Sequence, residues 1–80
     1  MNIFKKIVGK KVNVNVKGKE YQNTYSEVEV LNYYYDELEI KVVGGTKVIW
    51  IPQEGSKIVD SNKMIRVFGN QEYEIDIEIL

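Results

Sequence analysis

Strict alternation of apolar and polar residues is the main feature of the pattern along this chain. Val12, Val14 and Val16 alternate with Asn13 and Asn15, which is the period of a β-strand with one buried face. The same pattern predicts further strands at about 25–34, 38–42, 47–51, 57–59, 64–68 and 72–80. The inward positions predicted to be largely buried are Val12, Val14, Val16, Val28, Val30, Leu38, Ile40 and Val42.

A short helix is predicted at the start of the chain, within residues 2–9. Phe4, Ile7 and Val8 have the spacing of one helical face, and Gly9 follows them as a terminator. A helix this short, this close to a terminus, persists only when it packs on another element. We therefore expect its apolar residues to contact the sheet.

The segment 47–51 differs because it is apolar on both faces. This predicts a central strand, or one whose outer face is covered. Trp50 lies between Ile49 and Ile51, and we interpret it as a core side chain, with a ligand platform as the alternative. The last strand, at 72–80, is the predicted edge of the sheet.

The composition favours an all-β fold. Val and Ile supply 21 of the 80 residues and Ala supplies none, and β-branched residues suit a pleated, half-buried surface. Closing a sheet of short strands hides its edges. The predicted fold class is therefore all-β: a small barrel of five to seven short antiparallel strands with a short N-terminal helix, in a single domain over residues 1–80.

The sequence lacks the residues on which many enzymes and metal sites depend. It has no Cys and no His, which excludes a thiol nucleophile, a thiolate metal site, a Ser-His-Asp triad and an imidazole zinc site. Glu72, Glu74, Asp76 and Glu78 repeat along one strand face at about 6.5–7 Å, too far apart for one compact ion site. We therefore expect no enzyme, no cofactor and no metal, and we interpret these acids as a solvent face.

Charge is placed unevenly although the net charge is only −1. Residues 1–20 carry six Lys and one Glu, whereas residues 21–40 carry five acids and no basic residue. The pattern is typical of solvated strand faces. The alternative is a dipolar molecule whose ends meet charged partners or other copies of the chain.

The sequence also predicts where the protein acts. It contains no run of about 18 apolar residues and no start resembling a signal peptide, so we expect a cytoplasmic protein without a membrane partner. Lys, Asn, Ile and Tyr make up 33 of the 80 residues, a mixture that AT-rich codons favour. The gene is therefore expected in an AT-rich bacterial, phage or mobile-element genome.

The segment from Asn32 to Asp36 contains three consecutive tyrosines and is the main candidate contact site. Neighbouring strand residues point to opposite faces, so at least one ring lies outside or at an interface. Tyr is enriched in interfaces and stacks well on bases. Alternatively, Tyr34 packs in the core while Tyr33 and Tyr35 are ordinary cross-strand partners. The candidate contact residues are Asn32, Tyr33, Tyr35 and Lys57.

The order of elements adds a resemblance. A short helix leads into a strand that ends in Lys17-Gly18-Lys19-Glu20-Tyr21, and a long strand, a tyrosine-rich bend and a third strand follow. Over roughly residues 2–60 this resembles the Sm-like barrel of Sm, LSm and Hfq-type proteins. The resemblance implies an oligomeric ring that binds single-stranded RNA through a loop aromatic and a loop basic residue. By position these would be Tyr33 or Tyr35, and Lys57.

Two functions therefore stay open. The first is a non-enzymatic binding module, a small phage or mobile-element protein that self-associates or blocks a host factor. The second is an Sm-like oligomeric binder of single-stranded RNA or of a nucleotide ligand. A homo-oligomer is expected in both cases, because a domain of this size has a limited core. We place its interface on the last strand, whose acids suit a Lys-rich strand such as 10–19 of a neighbour. The predicted interface residues are Tyr73, Ile75, Ile77 and Ile79.

Overall fold

The computed structural model describes residues 3–70 and 73–80. Residue 2 of the predicted helix and Glu72 of the acidic series lie outside the described residues. The described residues form a 3-10 helix and seven strands: η1 (Ile3–Ile7), β1 (Lys11–Gly18), β2 (Gln22–Tyr34), β3 (Glu37–Val42), β4 (Gly45–Trp50), β5 (Lys57–Asp60), β6 (Met64–Asn70) and β7 (Tyr73–Ile79). The all-β class predicted from the sequence is confirmed. Within the described residues, no helix has the length and apolar character needed to span a membrane.

All seven strands belong to one antiparallel sheet in the order β4-β3-β2-β1-β7-β6-β5. The sheet does not close into the expected barrel: β4 and β5 are its two edges. Closure would join these strands in parallel, given the antiparallel pairing of all the others. Parallel neighbours need a crossover of about a dozen residues or more, and only residues 51–56 connect β4 to β5. The sheet is therefore curled but open.

The curl originates in β2, which is long enough to pair with β1 through its first half and with β3 through its second half. Each half contains an irregularity. The register with β1 shifts between Val12 and Val14, opposite a segment in which Glu27 has a φ of 52°. The register with β3 shifts between Val30 and Asn32. Such bulges bend a strand and increase its twist, so β2 wraps the sheet around one core.

The core lies on the concave face of the curled sheet. Six of the eight positions predicted to be buried are buried, and Val28 and Val42 are only partly so. Phe4 and Ile7 of η1 are buried with them, as expected for a terminal helix that packs on the sheet. Val8, predicted on the same face, follows the helix and is 41% exposed. The helix ends at Ile7, and Gly9 in the turn that follows has a φ of 86°, a conformation that glycine adopts without strain.

The interpretation of residues 47–51 as a central or covered strand is wrong. β4 is an edge strand, and Val48 and Trp50 on its outer side are 50% and 48% exposed. Only Ile49 and Ile51 enter the core. The apolar outer positions are therefore surface features of the described fold, including the tryptophan that the sequence assigned to the core.

The expectation that the last strand is a sheet edge is also wrong, because β7 lies between β1 and β6. Ile75 and Ile77 have no exposed surface, and Tyr73 and Ile79 are partly buried against the core. The lysine-bearing partner strand expected from a neighbouring copy is β1 of the same chain, with Lys17 opposite Glu74. The main chain of β7 therefore pairs with β1 and β6 of the same chain.

The acids of β7 belong to a polar network on the outer face of the sheet. Asn13 Nδ2 donates a hydrogen bond to Glu78 Oε1 at 2.8 Å. Arg66 Nε lies 3.2 Å from Asp76 Oδ1, and its guanidinium lies 5.3 Å from the centre of the Phe68 ring. These cross-strand contacts give Asp76 and Glu78 structural partners.

Candidate functional site

Three aromatic side chains gather at one end of the curled sheet. The ring centroids of Trp50 and Tyr73 are 5.5 Å apart, and those of Tyr21 and Tyr73 are 6.2 Å apart, both in tilted arrangements. With Lys19 and Glu20 they line an open groove of about 480 Å³. Tyr21 and Trp50 are each about half exposed. We call this surface the aromatic groove.

The turn between β1 and β2 places Tyr21 in the groove. Gly18 N donates to the carbonyl of Tyr21 at 2.9 Å, which folds the chain tightly back on itself. Gly18 also lies opposite Tyr73 in the pairing of β1 with β7. A Cβ atom on residue 18 would collide with the Tyr21 ring. The missing side chain of Gly18 therefore lets the Tyr21 ring lie against its own turn and reach Tyr73.

The hydroxyl of Tyr73 is held in its neutral form. Burial is the main cause that raises its pKa from 10.0 to about 12, and a hydrogen bond with Tyr21 and the charges of Tyr21 and Tyr25 act in the same direction. Burial disfavours the charged form of any ionisable group. The Tyr73 hydroxyl therefore stays protonated well into the alkaline range.

A second, smaller pocket of about 190 Å³ lies on the other side of Trp50. Its walls include Tyr35 and Trp50, and its polar groups include Asp36, Gln53 and Glu54. Trp50 lines both this pocket and the aromatic groove. We call the smaller site the Tyr35 pocket, and we call the two together the aromatic end.

Hydrogen bonds fix the two walls of the Tyr35 pocket to each other. Ile51 N donates to the carbonyl of Asp36 at 2.7 Å. Gln53 Nε2 donates to the Tyr33 hydroxyl at 2.9 Å and to the carbonyl of Tyr35. The Tyr33 hydroxyl itself donates to the Tyr35 carbonyl at 2.8 Å. The turn after β2 and the segment after β4 are thus joined beneath the pocket.

The four contact residues predicted from the sequence do not lie together in the structure. Tyr35 is 71% exposed and lines the pocket. Tyr33 stacks on Phe4, with ring centroids 5.1 Å apart, and so supports the pocket from below. Asn32 donates to Glu39 at 2.9 Å on the outer face of the sheet. Lys57 is exposed on β5 and lines neither the groove nor the pocket.

The alternative arrangement of the tyrosines, with Tyr34 in the core and Tyr33 outside, is wrong. Tyr33 packs against the core and Tyr34 is 53% exposed. Sequence reasoning also missed Tyr21 as a site residue, and it preferred a core position for Trp50 to the alternative of a ligand platform. One local signal pointed to Tyr21: the glycine three positions before it, whose missing side chain leaves room for the Tyr21 ring.

The lysines in and just after η1 lie at the opposite end of β1 from the aromatic end. Lys11 begins this strand and Gly18 ends it, a separation of about 23 Å at the rise of a strand. The carbonyl of Lys11 accepts from Leu80 N, and the carbonyl of Lys63 accepts from Ile79 N, so both lysines lie at the η1 end. Around the aromatic end, Lys19 is accompanied by three acids. These acids are Glu20, Asp36 and Glu54.

Comparisons with protein-family models, with curated proteins and with solved structures found no match to this chain. The resemblance to the Sm-like barrel therefore stays a prediction from the sequence. The candidate site rests on the geometry described above.

Proposed function

We propose that this chain is a non-enzymatic binding module that acts through protein–protein contacts at the aromatic end. The cluster of half-exposed Tyr21 and Trp50 with the partly buried Tyr73, beside Tyr35, carries this proposal. Tyr and Trp are enriched in protein interfaces and dominate their binding energy. Contiguous exposed apolar surface with a polar rim is typical of an interaction site.

Charge favours a protein over a nucleic acid at this surface. Three carboxylates and one ammonium group border the aromatic end, and a local negative balance repels phosphates. The lysines of the first twenty residues that could attract phosphates lie partly at the other end of β1. A protein segment with apolar and basic side chains suits the aromatic end better.

The experiment compares capture by four forms of the chain. Wild type, Tyr21→Ala, Trp50→Ala and Tyr34→Ala are immobilised and exposed to lysate of a candidate bacterial host, with and without nuclease. Tyr34→Ala is the matched control, because Tyr34 is exposed but lines neither the groove nor the pocket. We expect one protein to be retained by wild type and the control, to be lost from the other two variants, and to be insensitive to nuclease.

Folding of each variant is checked first by circular dichroism and chemical denaturation, so that lost capture is not confused with lost structure. Equal capture by all four forms, or capture that nuclease abolishes, would contradict the proposal. The purified partner is then titrated while the emission of Trp50 is recorded. Trp50 is the sole tryptophan of the sequence, so its emission reports directly on the aromatic end.

Single-stranded RNA or a nucleotide is the second candidate, supported by the exposed ring of Tyr35, since exposed aromatic rings stack on bases. Its test is the affinity for a short oligo(U) at two salt concentrations. Steeply salt-dependent binding that Tyr35→Ala abolishes would favour RNA.

Self-association stays part of the proposal, with a second copy of the chain as one form of protein partner. Light scattering at two protein concentrations and two salt concentrations measures it. A monomer mass in every condition would remove self-association and leave capture of a host protein. Origin in a phage or mobile element stays a prediction from the sequence.

A further inference from the structure

We propose that the Tyr35 pocket receives the cationic side chain of a Lys or Arg residue from the partner protein. The inference rests on the proposed function, since it assigns one residue of the bound protein segment to one pocket. The group bound in the Tyr35 pocket would be an alkylammonium or guanidinium ion. We do not assign such a group to the aromatic groove beside it.

The pocket combines the two features that recognise an organic cation. Tyr35 and Trp50 supply aromatic rings, and a cation is attracted to the face of such rings, most strongly to Trp. Asp36 and Glu54 supply two carboxylates in the same lining, which can accept charge-assisted hydrogen bonds from an ammonium or guanidinium group.

The pocket charge is not neutralised within the described part of the chain. The two ion pairs there join Lys6 to Asp60 and Arg66 to Asp76, and neither involves Asp36 or Glu54. No Lys or Arg is among the described residues that line the pocket. Asp36 and Glu54 therefore belong to a cavity whose described lining contains no cation, and their two negative charges complement a basic side chain.

The pocket is also held in place before a ligand arrives. Gln53 joins the carbonyl of Tyr35 and the hydroxyl of Tyr33, and the stack of Tyr33 on Phe4 anchors that hydroxyl to the core. A pocket that is already ordered loses less conformational entropy on binding, so more of the contact free energy remains as binding affinity. Gln53 and Tyr33 are thus positioning residues, while Tyr35, Trp50, Asp36 and Glu54 are the contact residues.

The test uses small probes that fill the pocket alone. Labelled wild-type protein is titrated with N-acetyl-arginine amide and with its neutral isostere N-acetyl-citrulline amide, while nuclear magnetic resonance follows the Trp50 indole N–H and the Gln53 side-chain amide. We expect saturable shifts with the arginine probe and at least about fivefold weaker binding of the citrulline probe.

Two variants locate the effect. Asp36→Asn combined with Glu54→Gln should weaken arginine binding at least about fivefold, whereas Glu29→Gln, a charge change opposite Lys11 on another part of the sheet, should leave it unchanged. Equal binding of arginine and citrulline probes, or equal weakening by both variants, would overturn the inference.

A choline titration separates binding of a free cation from binding of a protein side chain. Choline binding more tightly than a Leu-Arg-Leu peptide would overturn the assignment to a protein side chain.

The outcome is separable from that of the proposed function. If the probes bind alike while Tyr21→Ala still abolishes protein capture, the pocket inference fails and the proposed function stands. If the arginine probe binds selectively but all forms capture alike, the pocket recognises a cation and the protein-binding proposal fails.

Discussion

The indole of Trp50 packs against the ring of Tyr73 at a centroid distance of 5.5 Å, although β4 and β7 are separated by three strands in the sheet order. This contact links an edge strand to a central strand at the open side of the curled sheet. No hydrogen-bonded ladder joins the two edges among the described strands. The main chain of β4 pairs with β3, and across the open side Trp50 contacts β7 through its side chain.

Replacing Trp50 should therefore cost more stability than its exposure suggests. We expect Trp50→Ala to lower the free energy of unfolding by about 1–3 kcal/mol, from lost apolar burial and a lost aromatic pair. Val48→Ala is the control, because Val48 lies on the same strand and is equally exposed; it should cost less than about 1 kcal/mol. Chemical denaturation monitored by circular dichroism measures both, and equal costs would contradict a role for the Trp50–Tyr73 contact.

Ionisation of Tyr73 should make stability fall at high pH. Its pKa is raised from 10.0 to about 12 in the folded chain, so the folded state holds this proton more tightly than the unfolded state. The resulting stabilisation is complete below pH 10 and is lost as pH rises from 10 towards 12. Tyr73→Phe should flatten this part of the stability profile. Absorbance of tyrosinate against pH provides the direct measurement, and the late-titrating component that Tyr73 gives in wild type should be missing from the variant.

Val14 illustrates what alternation predicted well. Its side chain has no exposed surface, as the pattern of the first strand requires. Val14→Ala should lower the free energy of unfolding by about 1–3 kcal/mol, through lost transfer free energy and a residual cavity. Val59→Ala on the exposed strand β5 is the matched control and should cost less than about 0.5 kcal/mol. An unchanged denaturation midpoint for Val14→Ala would contradict the burial of β1.

Alternation failed where bulges interrupt a strand. Counting in steps of two from Val30 places Tyr34 inside and Tyr33 outside, but the register shift between Val30 and Asn32 adds one residue. One extra residue exchanges the two faces of everything that follows, which is why Tyr33 rather than Tyr34 reaches Phe4. A single sequence does not mark such a bulge, because Val30 and Leu31 are both apolar and neither position stands out.

The aromatic end could not be predicted from the sequence for a different reason. Its rings come from a turn, from the end of β4 and from the start of β7, and their meeting depends on the curl of the whole sheet. Apolar residues on both faces of β4 normally indicate a central strand. Here the outer Trp50 lies at an edge, where it contacts Tyr73 and remains half exposed.

Removing the Tyr33 hydroxyl should weaken the hydrogen bonding that positions the Tyr35 pocket, while the aromatic ring stays packed against the core. Tyr33→Phe keeps the ring on Phe4 and deletes the bonds to the Tyr35 carbonyl and to Gln53. We expect a loss of about 0.5–1.5 kcal/mol in unfolding free energy, together with a shifted resonance of the Gln53 side-chain amide. Tyr34→Phe is the control, because Tyr34 is exposed on the opposite face. Identical effects of the two variants would contradict the buttressing role of Tyr33.

Gly18 should be required because of Tyr21 alone, and a double-mutant cycle tests this. Gly18 has no unusual φ, so an alanine there meets no backbone strain. Its Cβ would instead collide with the Tyr21 ring and push it away from Tyr73. We expect Gly18→Ala to cost about 1–3 kcal/mol in wild type and much less in a Tyr21→Ala background, where the obstacle is gone. The difference between the two costs is the coupling free energy, measured by chemical denaturation of the four proteins. Equal costs in both backgrounds would show that Gly18 serves the turn itself and that the position of Tyr21 does not depend on it.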